Sequence, residues 1–167
     1  MSVLWLTGFS GAGKSTIAEK LATLIESCQI VDGDVIRRSI SSDLKQGETD
    51  RCEHYHHVIN YIKSNITKSK FTIAAFVSAN KTQREWIKTK FEEDHIPFYE
   101  IYVKTSLQTC EMRDPKGLYS RYRQGEDIKL SGLTEPYEEP DCPFVVCDTD
   151  KENLNECVGR ILEAIKY

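Results

Sequence analysis

The sequence predicts an α/β fold, a three-layer α/β/α sandwich around a mostly parallel central sheet. Three observations lead there. Short apolar runs of strand length alternate with stretches whose apolar residues recur at helical spacing. The strand-like runs, of which Phe71-Thr72-Ile73-Ala74-Ala75-Phe76-Val77 is the longest, lack polar alternation and so read as covered on both faces. The first of them runs into a glycine-rich turn that opens an amphipathic helix.

In chain order, Val3-Leu4-Trp5-Leu6 is the first strand and ends at Gly8. From Ser15, Ile17, Leu21, Leu24 and Ile25 lie on one helical stripe. Gln29-Ile30-Val31 is a second strand ending in Asp32-Gly33-Asp34, and Val58, Ile59, Ile62 and Ile66 mark a helix before the strand at 71–77. Thr82 to Glu93 reads as helix, and Phe98 to Val103 and Pro143 to Cys147 as strands. Glu152 to Ile165 carries Leu154, Val158, Ile161, Leu162 and Ile165 on one face. Parallel strands joined this way require right-handed crossovers that place helices on both faces. Residues 113–143 differ, being rich in charge, Gly, Pro and Tyr. So long a connection is expected to be a lid or binding element, with the lid at about 113–135.

The 167 residues suit one domain spanning 1–167. No apolar run approaches the roughly 18 residues of a membrane span. The first residues carry neither a basic lead nor a cleavage site, so a cytoplasmic location is expected. A net charge of −4 argues against non-specific attraction to nucleic acid or anionic membranes, so any anion site must be local. The six cysteines form no C-x-x-C pair and read as structural thiols.

The local anion site is explicit. Gly8-Phe9-Ser10-Gly11-Ala12-Gly13-Lys14-Ser15 fits G-x-x-x-x-G-K-[ST] between strand and helix, the mark of a P-loop NTPase. In such a loop the backbone N–H groups and the helix dipole face the phosphates. The lysine reaches the β- and γ-phosphates and the serine hydroxyl can ligate Mg2+. Ser10, Gly11, Ala12, Gly13 and Thr16 complete the expected contacts to ATP. A GTPase switch is the rival of another class, but Asn80-Lys81-Thr82-Gln83 lacks the carboxylate that reads guanine. Asp114-Pro115-Lys116-Gly117 follows that stretch instead of preceding it. Asp32 and Asp34, two apart at a strand end, would share one face if extended, beside a Mg2+ ion or a substrate hydroxyl. An acidic turn is the other reading of the same residues.

Taken in order, these blocks resemble the adenylylsulfate (APS) kinase family. They are G-x-S-G-A-G-K-S-T at 8–16, D-G-D-x-x-R at 32–37, D-R-x-E at 50–53, A-F-x-S at 75–78, C-E-x-R-D-P-K-G-L-Y at 110–119 and G-x-x-x-P-Y-E-x-P at 132–140. The resemblance spans residues 3 to 149 and implies transfer of the γ-phosphoryl group of ATP to a ribose 3′-hydroxyl. It gives Asp34 the role of base, with Asp32 supporting the Mg2+ shell. Arg37 and Arg51 would clamp the acceptor's anion, and Arg113 and Lys116 would belong to the lid and meet the phosphates. His54, Phe76, Val77, Ser78, Lys129 and Leu130 would lie along the acceptor, Ser78 being a serine that some members phosphorylate. The partner is then a small nucleotide. The oligomeric state stays open, with a homodimer among the options.

Four positions depart from the family pattern. Gln46 and Leu130 stand where two phenylalanines stack on adenine, His54 replaces an asparagine, and Ala79 replaces a proline. Lys129 is displaced by one from the family lysine. Adenylyl sulfate leads as acceptor. Cytidine diphosphoramidate, which relatives in the family phosphorylate, is the alternative, because Gln46 could hydrogen-bond a pyrimidine edge.

Overall fold

A computed structural model describes residues 1–40 and 48–167, so the position of Gln46 lies outside it. Five strands form one all-parallel sheet in the order β2-β3-β1-β4-β5. They are β1 (Ser2–Thr7), β2 (Cys28–Asp32), β3 (Phe71–Ala75), β4 (Phe98–Lys104) and β5 (Val145–Asp148). The helices are α1 (Lys14–Leu24), α2 (Gly33–Ser39), α3 (Glu48–Asn65), α4 (Lys81–Glu92), α5 (Leu107–Arg113), α6 (Leu118–Arg123) and α7 (Leu154–Ala164). Among the described residues, no helix is long and apolar enough to cross a membrane.

The period-two geometry of β1 organises two cores. Leu4 and Leu6 point to one face and pack with Ile17 and Leu21 of α1 and Val158 and Ile161 of α7. Val3 and Trp5 point to the other face, against Val58, Ile59 and Ile62 of α3 and Ile87 and Phe91 of α4. β2 and β3 lie to one side of the central β1, and β4 and β5 to the other. Ligands of such sheets bind at the carboxyl ends near that reversal.

Several local readings change. The strand at 71–77 ends at Ala75, since Ser78 adopts a left-handed φ of 39° and turns the chain. The last strand begins at Val145, two residues after Pro143, which has no N–H to give a ladder. Asp34 is not extended. The Asp32 carboxylate accepts the Asp34 N–H at 2.9 Å as an N-cap, and α2 begins at Gly33. In the 113–135 segment, Tyr119 and Leu130 are buried, and Leu118, Tyr122, Ile128 and Leu133 pack beside them on the α1 face. That apolar set lacks periodicity because it is spread over one short helix and irregular chain.

Candidate active site

The loop between β1 and α1 is shaped by what it must avoid. At Gly8, where φ is 150°, a Cβ would stand 2.4 Å from the Val103 carbonyl oxygen, so only glycine lets the loop leave β1 against β4. Gly13, at φ 104°, begins α1 without a side-chain cap, leaving first-turn N–H groups available to an anion. The underside of the loop is tied down at one carbonyl. The oxygen of Ala12 accepts Thr105 Oγ1 at 3.2 Å and Thr149 Oγ1 at 3.1 Å, and Arg113 Nη1 also reaches it at 3.4 Å. Tyr119 of α6 donates its hydroxyl to the Ser10 carbonyl at 2.9 Å. The resemblance assigns Arg113 to the lid, whereas its guanidinium reaches Ala12 and Thr149 and joins α5 to the phosphate loop.

Lys14 is 9% exposed and donates to the carbonyls of Gly8 at 2.9 Å and Phe9 at 2.7 Å. Burial, and secondarily the positive charge of Lys116, pulls its pKa down to about 8. Across the cavity the Ser15 hydroxyl donates to Asp32 Oδ2 at 2.8 Å, while the other Asp32 oxygen caps α2. One carboxylate thus links the phosphate loop to the helix that carries Asp34 and Arg37. Asp34 forms an ion pair with Lys116, and both side chains are half-exposed at the cavity mouth.

These groups line one cavity of about 680 Å3, within the usual size of a small-ligand site. It gathers most of the residues named from the sequence: Ser10 through Thr16, Asp32, Asp34, Arg37, His54, Phe76, Val77, Arg113 and Lys116. His54 is 3% exposed, and its Nδ1 has no hydrogen-bond partner among the described residues. Burial first, and then the Arg37 charge, lowers its pKa to about 4, so the ring is neutral at ordinary pH. A neutral imidazole with an unsatisfied nitrogen suits a residue that must meet a polar ligand.

Five named residues lie elsewhere. Gly8 packs under the loop, as above. Leu130 is in the core on the α1 face, drawn there by its apolar side chain, and is not a wall of the cavity. Ser78 is 2% exposed beneath the cavity, accepting Trp5 Nε1 at 3.1 Å and donating to Thr7 Oγ1 at 3.1 Å. Its hydroxyl is therefore a partner of the core and not a surface acceptor. Arg51 and Lys129 border a second cavity, where Arg51 Nη2 contacts both Glu135 oxygens at 2.5 and 2.6 Å and Lys129 approaches Glu135 at 3.8 Å.

The sequence reading missed the far wall of the main cavity, formed by Thr149, Glu152, Asn153 and Leu154. The signal available for it was its place directly after the carboxyl end of the last strand. It also missed Thr105 and Arg84, whose roles depend on contacts between distant segments.

Comparison with known proteins places this geometry in context. The family model described as adenylylsulphate kinase matches residues 1–148. The chain is 39% identical over 169 residues to the adenylyl-sulfate kinase of Bacillus licheniformis, covering 99% of this chain and 85% of that protein. With the adenylyl-sulfate kinase of Bacteroides thetaiotaomicron it shares 40% identity over 167 residues, covering 98% and 82% of the two chains. The Mycobacterium tuberculosis APS kinase CysC, solved in complex with AMPPNP and APS, superposes with a TM-score of 0.88 at 26% identity, covering 99% of this chain and 98% of its own.

Proposed function

Because the chain belongs to the adenylylsulphate kinase family, we propose that it transfers the γ-phosphoryl group of ATP to the ribose 3′-hydroxyl of adenylyl sulfate, giving ADP and 3′-phosphoadenylyl sulfate. The observation that carries this reading is the placement of Lys14 and Asp34 on one cavity, the phosphate loop on one side and a half-exposed carboxylate on the other.

On the donor side, the loop N–H groups and the α1 dipole take the phosphates, with the Lys14 ammonium moving from the Gly8 and Phe9 carbonyls to the β- and γ-oxygens. The Ser15 hydroxyl and the Asp32 carboxylate are hard oxygen donors 2.8 Å apart, a pair that fits Mg2+ completed by phosphate and water oxygens. Bound there, the ion would neutralise developing phosphate charge. On the acceptor side, Asp34 orients the 3′-hydroxyl and accepts its proton as the oxygen attacks the γ-phosphorus and the bond to the β–γ bridging oxygen breaks. Lys116 then turns from Asp34 to the transferring group. Arg37, always charged, pairs with the acceptor's anion, and the neutral His54 ring hydrogen-bonds beside it.

The reading is tested by incubating the purified protein with ATP, Mg2+ and adenylyl sulfate and identifying the product by phosphorus NMR. The expected spectrum gains a phosphomonoester resonance assignable to the 3′-position, in step with ADP. ADP release without a new phosphomonoester would leave the protein an ATPase and refute the acceptor assignment.

A further inference from the structure

We propose that Arg84 is a positioning residue for the acceptor half of the site, because it joins the wall that carries Phe76 and Val77 to the chain returning from the 113–135 segment. The inference rests on the reading that the cavity holds a nucleotide acceptor opposite the phosphate loop.

Arg84 is 3% exposed, in the first turn of α4, and its guanidinium serves three separate stretches of chain. Nε donates to Glu100 Oε1 of β4 at 2.8 Å, Nη1 to the Ser78 carbonyl at 2.7 Å and Nη2 to the Glu138 carbonyl at 2.6 Å. The guanidinium also lies 5.7 Å from the centre of the Tyr137 ring. Only a planar fork with several fixed donors can reach all three acceptors from one buried position, so a lysine could satisfy at most part of the set.

What the fork holds gives it a functional direction. The Ser78 carbonyl belongs to the left-handed residue that ends the Phe76–Val77 wall of the cavity. Glu138 lies in the arm that returns from the lid-like segment. The same arm is pinned by the Glu138 N–H on the Ala79 carbonyl at 2.9 Å, and by the Tyr137 hydroxyl 2.8 Å from Thr7 Oγ1 at the end of β1. Just upstream, Glu135 holds Arg51. Arg84 is therefore the joint through which wall and arm share one position. The hydrogen bonds that fix the phosphate loop, at the Ala12 and Ser10 carbonyls, involve none of these groups, and the arm meets the loop through ring packing, with the Tyr137 ring centre 5.0 Å from that of Phe9. A merely structural arginine would disturb both halves of the site, whereas a joint of this kind acts on one.

The test compares wild type with Arg84→Lys and with Glu100→Ala, which removes the side-chain acceptor of Arg84 Nε and leaves the two backbone carbonyl acceptors in place. In Arg84→Lys the acceptor KM is expected to rise by about 10-fold or more, misplacement of positioning groups having effects of this order, with the ATP KM within about twofold of wild type. Backbone amides of residues 76–79 and 133–141 should exchange hydrogen faster while those of α1 keep their protection. Glu100→Ala should move the acceptor KM and the arm's exchange in the same direction by less. Equal increases in both KM values, or unchanged exchange in the arm, would overturn the proposal. If Arg84→Lys does not fold, an unchanged acceptor KM and unchanged exchange in Glu100→Ala overturn it instead. Wild-type protein that turns over no nucleotide acceptor would refute the functional reading, and the exchange measurement would still decide whether Arg84 joins wall and arm.

Discussion

Lys14→Ala is expected to lower kcat/KM for ATP by on the order of 10² to 10³-fold or more, as removal of a preorganised charge from developing phosphate oxygens does. The variant should still fold. Lys14 is buried against two loop carbonyls and its burial disfavours the charged form, so its loss removes little that stabilises the loop. A thermal unfolding curve close to wild type is the control. The depressed pKa adds a second readout. With a value of about 8, the ammonium that attracts phosphates is mostly present at pH 7 and mostly lost by pH 9 in the free protein. ATP affinity should therefore weaken as pH rises through 8, and that weakening should be absent from Lys14→Ala. Near wild-type turnover in the variant would remove Lys14 from the mechanism.

Asp34→Asn is expected to reduce kcat by about 10²-fold or more with ATP binding little changed, because the amide keeps the size of the carboxylate and cannot accept the hydroxyl proton. The substitution also breaks the pair with Lys116. Those side chains are 46% and 55% exposed, and exposed pairs contribute little to stability, so a fall in kcat cannot be attributed to unfolding. Steady-state kinetics with saturating ATP and the acceptor, beside calorimetric ATP binding, separates the two terms. An unchanged kcat would mean that another group accepts the proton.

The features legible in the sequence are those written in contiguous residues. The phosphate loop is eight consecutive positions whose glycines, lysine and serine each answer to a local constraint, and β1 declares its double burial by an unbroken apolar run. Features that depend on distant partners were not legible. The Asp32-Gly33-Asp34 pair is legible as chemistry, yet its conformation is left open by the sequence, because an Asp ending a strand can equally cap a helix, and the Asp34 N–H bond to Asp32 selects the latter. Leu130 was placed beside the acceptor by counting along the chain, but the hydrophobic surface of the α1 face claims it. Ser78 matches a serine that some family members phosphorylate, and the partners that hold it in the core, Trp5 and Thr7, lie more than seventy residues away in the chain and leave no mark on its local sequence. Arg84 carried no motif at all, since its three acceptors lie on β4, on the turn after β3 and on the arm near residue 138. The short helices α5 and α6 offer too few turns for periodicity to register.

The most direct test of the account is kcat/KM for adenylyl sulfate measured beside that for cytidine diphosphoramidate, on the same preparation and at equal ATP and Mg2+. The account predicts that adenylyl sulfate gives the larger value, with the phosphoryl group found on its 3′-oxygen. A larger value for the cytidine nucleotide would contradict the acceptor assignment while leaving the donor chemistry in place, and turnover of neither nucleotide would contradict the assignment of a 3′-hydroxyl kinase altogether.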